Sequence, residues 1–238
     1  MKIIAMIPAR YAATRFPAKL MQLLGNKTVI RHTYEATKAT NLFDDVVVIT
    51  DSDIIYNEIT NHGGTAKLSK RRHESGSDRI AEAIVDMDLD VVINVQGDEP
   101  FIKKEPLEKL VRLFDDSSVK VGSLMRKIED SNDLGNTSCV KVVVNKNNEA
   151  LYFSRSVIPF AANTGIDIPY YQHIGVYGYR KDILLQFTKW PAARLELVEK
   201  LEQLRYLENG VDIRMAVVEF NGVAIDTPED LERAKLLI

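Results

Sequence analysis

The sequence contains little cysteine, little net charge and no long apolar run, and each of these absences excludes a class of protein. Its 238 residues include one cysteine, Cys139, so no intramolecular disulfide can form, and we expect a reducing compartment, the cytoplasm. No apolar run approaches the roughly 20 residues of a membrane helix, so we expect no membrane insertion. The net charge of −3 provides no global field that would attract nucleic acid.

Several familiar site signatures are also missing. No Gly-x-Gly-x-x-Gly follows the first apolar run, which disfavours a Rossmann dehydrogenase, and no nucleophile elbow of a Ser-His-Asp hydrolase occurs. No spacing of cysteine and histidine matches a zinc site. What remains are sites built from carboxylates and cations, in a chain whose apolar content of 45% supports a full core.

Three continuous apolar runs organise the first half of the chain, at residues 3–7, 46–50 and 90–95. Each has the length and composition of a buried strand, and stretches with helical spacing separate them. Strands that alternate with helices pair in parallel through right-handed crossovers. This pattern predicts an α/β fold that binds its ligand at the carboxyl ends of the strands.

The loop after the first run carries three cations, Arg10, Arg15 and Lys19, among small residues that allow close approach. Its position at the carboxyl end of a buried strand and its charge favour the binding of a polyphosphate. A solvated basic loop without any ligand explains the same residues. From this stretch alone the two interpretations are equally good.

A second basic segment, residues 70–79, leads into a helix, and Ser77 has the side chain of an N-cap. Small residues at a helix start leave backbone N–H groups free for an anion, although a capped helix without a ligand is the commoner case. Basic side chains around the cap favour the anion site. They are Arg71, Arg72, His73 and Arg79.

Two carboxylates follow apolar segments that are far apart in the chain. Asp98 comes shortly after the run at 90–95, where a buried carboxylate needs a partner or a metal. Asp226 precedes a helix start at Thr227, and capping alone does not require it. Acids at helix starts are most often caps, but two carboxylates opposite a cationic phosphate loop suit Mg²⁺ with a nucleotide. The residues alone therefore predict a magnesium-dependent α/β enzyme for a nucleoside triphosphate or a sugar phosphate.

The chain contains no linker, so we expect a single domain over residues 1–238. Its second half predicts antiparallel strands in a small lobe attached to the sheet, at about 119–180. The strand-like stretches are 119–128, 140–144, 150–154 and 172–179. Further on, Leu197, Leu201 and Leu204 have helical spacing and predict one helix over residues 194–207.

Several sequence blocks occur along the chain in a fixed order. The first half contains Ile-Pro-Ala-Arg-Tyr-x-x-Thr-Arg-x-Pro-x-Lys (7–19), His-x-Ser-Gly-Ser-Asp-Arg (73–79) and Asn-Val-Gln-Gly-Asp-Glu-Pro (94–100). The second half contains Val-Lys-Val-Val (140–143), Ala-Leu-Tyr-Phe-Ser-Arg (150–155), His-Ile-Gly-Val-Tyr-Gly-Tyr-Arg (173–180), Leu-Glu-Gln-Leu-Arg (201–205) and Asp-Thr-Pro-Glu-Asp-Leu (226–231). Together they resemble the 3-deoxy-manno-octulosonate cytidylyltransferase family, the CMP-Kdo synthetases.

The resemblance implies the nucleotide-diphosphosugar transferase fold, a Rossmann-like mixed, mostly parallel sheet flanked by helices, with a small antiparallel lobe. It implies that the anomeric hydroxyl of the acid sugar 3-deoxy-manno-octulosonate (Kdo) attacks the α-phosphate of CTP. The products are CMP-Kdo, for lipopolysaccharide assembly, and pyrophosphate. The resemblance also implies Mg²⁺ as cofactor. It further implies that the small lobe, at about 119–180, serves sugar recognition and forms a homodimer.

The resemblance assigns roles to individual residues. Arg10, Arg15 and Lys19 would hold the triphosphate and the charge on departing pyrophosphate. Asp98 and Asp226 match the magnesium carboxylates. The resemblance implies that Asp98 and the three cations are the catalytic residues. The remaining nucleotide contacts are Ser75, Gly76 and Gln96, and the sugar contacts are Arg79, Gln96, His173, Tyr177, Glu202 and Gln203. No general base stands out, so we expect the metal to activate the hydroxyl.

The chain departs from the family's usual sequence at Ala18, where glycine is common and a left-handed backbone would be strained. Ser77 replaces a threonine and keeps its hydroxyl. The 8-amino analogue of Kdo stays an alternative substrate, since a few pocket residues decide between the two sugars. A non-catalytic nucleotide-sensing module is disfavoured because Asp98 and Asp226 are both present.

Overall fold

A computed structural model of the chain describes residues 1–12, 16–73, 75–163, 165–166, 168–219 and 224–238. The strands are β1 (Ile3–Ala9), β2 (Leu23–Leu24), β3 (Lys27–Thr28), β4 (Asp45–Thr50), β5 (Ala66–Leu68), β6 (Val91–Asn94), β7 (Val121–Lys127), β8 (Lys141–Val144), β9 (Ala150–Ser154), β10 (Tyr171–Arg180) and β11 (Ile213–Val217). The α-helices are α1 (Val29–Ala39), α2 (Asp53–Asn61), α3 (Gly76–Ile84), α4 (Lys104–Arg112), α5 (Ser131–Gly135), α6 (Lys181–Phe187), α7 (Arg194–Glu199), α8 (Leu204–Glu208) and α9 (Pro228–Lys235). Short 3-10 turns occur at Lys19–Met21 and Leu113–Asp115.

One mixed sheet with the strand order β11-β7-β10-β6-β1-β4-β5 forms the centre of the fold. β1 pairs in parallel with β4 and β6, and β5 extends this parallel part beyond β4. Antiparallel pairing begins at β10, which lies between β6 and β7. The antiparallel hairpin β8–β9 leaves this order and pairs with the start of β10. The predicted α/β class, a mixed sheet flanked by helices, is confirmed.

β1 is buried on both faces because its side chains alternate between two apolar cores. Ile3, Ala5 and Ile7 pack on the side of α1, α2, α4 and α9. Ile4 and Met6 pack on the side of α3, α6 and α8. Full burial of one large apolar side chain contributes about 1.5–3 kcal/mol, so this strand is a main source of stability. Its carboxyl end is thereby fixed in the middle of the sheet.

The parallel strands β1, β4 and β6 run in one direction, so their carboxyl ends reach the same edge of the sheet. The chain leaves β1 at Arg10 and β4 at Asp51. Two glycines let other segments approach this edge closely. A Cβ at Gly97 would lie 3.3 Å from the Pro8 carbonyl oxygen, and one at Gly76 would lie 3.1 Å from Pro8 Cγ. The loop after β6 and the start of α3 are therefore packed against the end of β1.

The helix predicted over residues 194–207 is wrong, because two short helices, α7 and α8, occupy this stretch. Lys200 has a left-handed backbone, with a φ of 55°, and ends α7. Leu197, which the leucine spacing places on one face with Leu201 and Leu204, is 63% exposed, whereas the other two are buried. Glu202 and Gln203 lie in the turn between the two helices instead of on a helix face.

The N-cap of α3 is Ser75, whereas the sequence predicted Ser77. Ser75 Oγ accepts a hydrogen bond from the backbone N–H of Asp78 at 3.1 Å. Ser77 lies inside the first turn, where its Oγ donates to Glu202 Oε1 at 2.5 Å. By sequence alone either serine could be the N-cap. The bond between Ser77 and Glu202, which is distant in sequence, leaves Ser75 as the cap.

The structure also bears on the single cysteine and on the expected absence of a membrane helix. Cys139 is buried, and burial raises the pKa of its thiol. It therefore has the environment of a small apolar side chain. In the part of the chain that the structure describes, no helix combines the length and the apolar character needed to cross a membrane.

Ala18 adopts the left-handed conformation, with φ 52° and ψ 30°, immediately before the turn at Lys19–Met21. In this conformation Cβ crowds the following carbonyl oxygen, which costs about 1–2 kcal/mol in any residue other than glycine. The turn depends on this backbone because the Met21 N–H donates to the Ala18 carbonyl oxygen at 2.8 Å. From the sequence we expect strain at Ala18 only if its backbone is left-handed. The backbone is left-handed, so this strain is present beside Lys19.

We predict that Ala18→Gly raises the free energy of unfolding by up to about 1 kcal/mol. Relief of the left-handed strain outweighs the conformational entropy that glycine adds to the unfolded chain. Urea unfolding of the two proteins measures the difference. Ala36→Gly, in the ordinary helical backbone of α1, is the matched control and should lower the free energy of unfolding by about 1 kcal/mol. Equal losses in both variants would contradict the strain.

Candidate active site

A cavity of about 210 Å³ opens at the edge of the sheet where β1 and β6 end. Its walls come from the loops after these strands and from the start of α3. The predicted site residues among its lining are Arg10, Lys19, Ser75, Gly76, Arg79, Gln96 and Asp98. The structure thus brings the predicted nucleotide-contacting segments together, with the exception of Arg15, which lies outside the described residues.

Lys19 bridges the two carboxylates that the sequence singled out. Its Nζ lies 2.5 Å from Asp98 Oδ2 and 2.7 Å from Asp226 Oδ1. The side chains of Lys19 and Asp98 are only 16% and 22% exposed, so water screens this contact poorly. The two aspartates are the predicted metal carboxylates, and the lysine predicted to hold phosphates offsets one of their two negative charges.

The backbone carries Asp226 to this place. The Ile225 N–H donates to the Asp98 carbonyl oxygen at 2.9 Å, which joins the segment before α9 to the loop after β6. The Asp226 N–H donates to Asp230 Oδ2 at 3.0 Å, and Asp230 also closes the capping box with Thr227. The predicted helix start at Thr227 is thereby confirmed, and it orients the residue that precedes it.

The charge of Lys19 is stabilised by this arrangement. Burial lowers the pKa of Lys19, but the charge of Asp98 and the hydrogen bonds to both carboxylates outweigh burial and raise the pKa above its ordinary value. Lys19 therefore stays protonated at any physiological pH. A permanent positive charge faces the cavity.

Glu99 lies next to the pair and responds to its charge. Burial, followed by the charges of Asp98 and Asp226, raises the pKa of Glu99 to about 8, against the opposing effect of Lys19. Glu99 Oε2 has no hydrogen-bond partner among the described residues. Burial and the two aspartate charges therefore favour the neutral carboxyl of Glu99 near pH 7. Two aspartates and one lysine leave a net negative charge, which attracts a further cation.

The donors fit a magnesium ion better than a metal that needs a full protein cage. Within the described ranges, no group of three or more Asp, Glu, His or Cys side chains converges on one point. Mg²⁺ is usually held by one or two carboxylates, with waters and substrate phosphates completing its shell. Asp98 and Asp226 supply hard oxygen atoms that already meet one positive charge at Lys19. These two residues could hold a divalent cation.

The N-terminus of α3 faces the same cavity through Ser75 and Gly76. Free N–H groups and the positive end of the helix dipole favour an anion there. Arg79, one turn further, is buried, with Nη2 at 2.9 Å from Asp51 Oδ2 and Nη1 at 3.0 Å from Ser69 Oγ. Arg79 therefore fastens α3 to the ends of β4 and β5 and still lines the cavity.

The other predicted sugar contacts lie beside the cavity instead of in its lining. His173 is on β10, and its Nε2 lies 3.1 Å from Ser123 Oγ. Burial lowers the pKa of His173 to about 3, so its imidazole is neutral near pH 7. The centre of its ring lies 5.3 Å from that of Tyr177. Two predicted sugar residues thus form one aromatic pair, in which Tyr177 is buried and His173 half-buried.

Tyr177 connects this pair to the cavity. It lies in register with Asn94 of β6, and Asn94 Oδ1 accepts a hydrogen bond from Gln96 Nε2 at 3.3 Å. The Tyr177 hydroxyl is buried near Ser123 but has no hydrogen bond of ordinary geometry to any described residue. A buried hydroxyl in this state is favourable only if a further group, such as a ligand, completes its hydrogen bonding.

Glu202 and Gln203 approach from the turn between α7 and α8. The bond from Ser77 ties Glu202 to the first turn of α3. Burial raises the pKa of Glu202, and hydrogen bonds with Ser77 and Ser75 oppose this shift. Gln203 is buried, and its Nε2 has no partner in the described part of the chain. The predicted residues therefore form two adjoining groups, one charged around the cavity and one with unpaired polar groups beside it.

Sequence reasoning missed Asp51, Glu99 and Ser123. Asp51 and Glu99 follow β4 and β6 at the ligand-binding edge of the sheet, and this position could have indicated them. Ser123 lies in the middle of the buried strand β7, where no local signal distinguishes a functional hydroxyl from a packed one.

Comparison with known proteins gives the family context. Residues 4–213 match the family model described as Cytidylyltransferase. A 3-deoxy-manno-octulosonate cytidylyltransferase of Flavobacterium johnsoniae is 55% identical over 241 residues, which cover 100% of this chain and 99% of the relative. One from Thermodesulfovibrio yellowstonii is 44% identical over 248 residues, covering 99% of this chain and 97% of the relative.

A solved structure of CMP:2-keto-3-deoxy-manno-octonic acid synthetase complexed with CTP is also similar. Its TM-score is 0.95 at 37% identity, and the match covers 100% of this chain and 98% of that chain. A 4-diphosphocytidyl-2C-methyl-D-erythritol synthase of Anaerococcus prevotii has a TM-score of 0.65 at 15% identity, covering 99% of this chain and 97% of that chain. The second similarity concerns the fold alone.

We predict that His173 destabilises the folded protein in mild acid. The pKa of the buried ring is about 3, against 6.5 for an ordinary histidine, so the unfolded chain takes up the proton first as pH falls. The stability linked to the neutral ring is fully present above about pH 6.5 and is lost as pH falls towards about 3, with a loss of about 2 kcal/mol at pH 5. Urea unfolding at about pH 7.5 and about pH 5 measures this loss in the wild type and in His173→Gln.

The His173→Gln protein should lose about 2 kcal/mol less than the wild type over this interval. His62→Gln replaces a histidine whose side chain is 41% exposed and serves as the control, which should follow the wild type. If the stability of His173→Gln depends on pH as strongly as that of the wild type, burial does not lower the pKa of the His173 ring.

Proposed function

The chain belongs to the 3-deoxy-manno-octulosonate cytidylyltransferase family, and we propose that it transfers CMP from CTP to the anomeric hydroxyl of Kdo with the help of Mg²⁺. The products are CMP-Kdo, which serves lipopolysaccharide assembly, and pyrophosphate. The observation that carries this proposal is the meeting of Lys19, Asp98 and Asp226 beside a cavity that also receives the N-terminus of α3. We expect the reaction in the cytoplasm, since the lone cysteine suits a reducing compartment.

The triphosphate binds along the positive side of the cavity. Arg10 and Lys19 line it, and the backbone N–H groups at Ser75 and Gly76 add the positive end of α3. Lys19 is held by its two carboxylates before substrate arrives, so its charge needs no reorganisation during the reaction. The role of Arg15 in the same loop rests on the sequence.

Asp98 and Asp226 would hold the metal. When bound there, Mg²⁺ polarises phosphate oxygens and lowers the pKa of the attacking hydroxyl. The chain's own contribution is the placement of the carboxylates, through the Ile225 N–H bond to the Asp98 carbonyl and the Asp230 bond to the Asp226 N–H. Lys19 offsets one of the two negative charges and keeps the two acids close to each other.

The sugar binds against the polar groups beside the cavity. The neutral imidazole of His173, the Tyr177 hydroxyl and the Gln203 amide can exchange hydrogen bonds with sugar hydroxyls. A sugar that leaves such buried groups unpaired is strongly disfavoured, so these side chains provide selectivity. The 8-amino analogue of Kdo differs at one substituent and is the alternative substrate.

We predict CTP- and Mg²⁺-dependent release of pyrophosphate with Kdo, measured beside 8-amino-Kdo and N-acetylneuraminate. Asp98→Asn should lower kcat by about 100-fold or more, because it removes a charge that the reaction requires at the metal. Asp53→Asn, at the exposed start of α2, is the matched control and should retain wild-type turnover.

No release with any of the three sugars would reject the enzyme activity. Faster release with the 8-amino sugar would change the substrate while keeping the reaction. Full activity of Asp98→Asn, with the control also active, would remove Asp98 from the metal site.

A homodimer formed through the lobe is supported by exposed apolar side chains. Leu151 on β9 is 60% exposed, Phe160 87% and Val198 on α7 81%. β9 and α7 are joined because Arg155 Nε donates to the Glu199 carbonyl oxygen at 2.9 Å. Exposed apolar side chains on joined elements such as β9 and α7 are typical of an interface, and a second copy of the chain would cover them.

We predict that Val198→Glu shifts the protein from dimer to monomer, because the interface would have to bury an unpaired charge. Size-exclusion chromatography with light scattering measures the mass. Leu236→Glu, at a residue 84% exposed near the C-terminus, is the control and should stay dimeric. A monomeric wild type, or a dimeric Val198→Glu, would reject this interface.

A further inference from the structure

Ser123 lies at an irregular point of the sheet. The pairing of β10 with β7 shifts register between Ile174, opposite Leu124, and Tyr177, opposite Ser123. Ser123 is fully buried, and its Oγ lies 3.0 Å from the Val176 carbonyl oxygen and 3.3 Å from that of Ile174. The same oxygen lies 3.1 Å from His173 Nε2. One hydroxyl therefore meets two carbonyl acceptors and one imidazole nitrogen, and the Tyr177 hydroxyl lies nearby without a hydrogen bond of ordinary geometry.

The single proton of the hydroxyl decides how these contacts are made. A carbonyl oxygen only accepts, so the Ser123 proton is used on Val176 or Ile174. The free lone pair of Oγ then faces His173 Nε2, which must carry a hydrogen in order to donate. The reverse arrangement would leave two buried carbonyl oxygens facing an oxygen without a proton, at a cost of roughly 1–3 kcal/mol.

The hydrogen on Nε2 determines the other side of the ring. Burial keeps the imidazole neutral, so it carries one hydrogen only. Nδ1 is then a bare acceptor, and no hydrogen bond to it is found among the residues that the structure describes. A bare Nδ1 accepts from a hydroxyl group and is repelled by a carboxylate, which has only lone pairs to offer.

We propose that Ser123 is a positioning residue that holds His173 in its Nε2–H form, so that Nδ1 accepts a hydrogen bond from a hydroxyl group of the acid sugar. This inference rests on the proposed function insofar as it places the sugar against β10. It separates the task of His173, which recognises a hydroxyl, from that of the cationic groups, which suit carboxylate and phosphate. Ser123 itself touches no substrate.

The first test reads the tautomer directly in the whole protein. A long-range ¹H–¹⁵N correlation spectrum of the wild type near neutral pH should show a protonated Nε2 and a bare Nδ1 for His173. The chain has 4 histidines, and the spectrum of His173→Gln identifies the missing signals. A wild-type His173 with its hydrogen on Nδ1 would overturn the proposal without any Ser123 variant.

The second test is kinetic. Ser123→Ala should raise KM for the sugar by about 10-fold, which corresponds to the loss of one oriented hydrogen bond, and leave KM for CTP within about 2-fold. Ser123→Thr keeps the hydroxyl and should restore most of the sugar affinity. Ser118→Ala, at an exposed serine before β7, controls for serine loss in general and should behave as wild type.

A double variant separates positioning from general damage to the fold. In the His173→Gln background, Ser123→Ala should change KM for the sugar no further, because its partner is already gone. An additional 10-fold loss in that background, or equal losses for sugar and CTP, would show a structural role only and overturn the proposal. If no acid sugar is activated at all, the proposed function fails, whereas the tautomer remains measurable in the spectrum.

Discussion

One half-buried cation, Lys19, holds together two acids from distant parts of the chain, and the site depends on this contact. Without the charge of Lys19, Asp98 and Asp226 would repel each other in surroundings that already keep Glu99 protonated. The same contact joins the loop after β1, the loop after β6 and the start of α9. The position of Ala18, directly before Lys19, follows from this constraint, since the lysine must turn inward at once after the strained residue.

Much of the fold could be predicted because its central strands are buried on both faces. The apolar run of β1 has no polar face to give to water, so it fits only between two layers of helices. The start of α9 could be predicted for a different reason, since a capping box uses only near neighbours. Thr227 Oγ accepts from the Asp230 N–H, and Asp230 accepts from the Thr227 N–H. Features of this kind are encoded within a few residues.

The predictions that failed are those in which a distant residue chooses between local alternatives. The break between α7 and α8 has no signal in the sequence, where the leucines continue at helical spacing. α7 ends at the left-handed Lys200, and Arg155, from the segment after β9, donates to the Glu199 carbonyl oxygen at this end. The cap of α3 falls on Ser75 because Ser77 is engaged by Glu202, which that same break delivers. Both errors concern one contact, because Glu202 lies in the turn between α7 and α8.

The two parts of the site recognise their ligands by different physical means. Around the cavity, fixed charges such as Lys19 and Asp98 suit a polyanion and its metal, and they act strongly because water is partly excluded. On β10 the groups are neutral, and each of His173 and Tyr177 offers a donor or an acceptor in a fixed direction. A charge attracts any phosphate, whereas a neutral group of fixed direction penalises a ligand that presents the wrong partner. The charges of the first loop should therefore determine affinity for the nucleotide. The donors and acceptors that His173 and Tyr177 present on β10 should determine which acid sugar is selected.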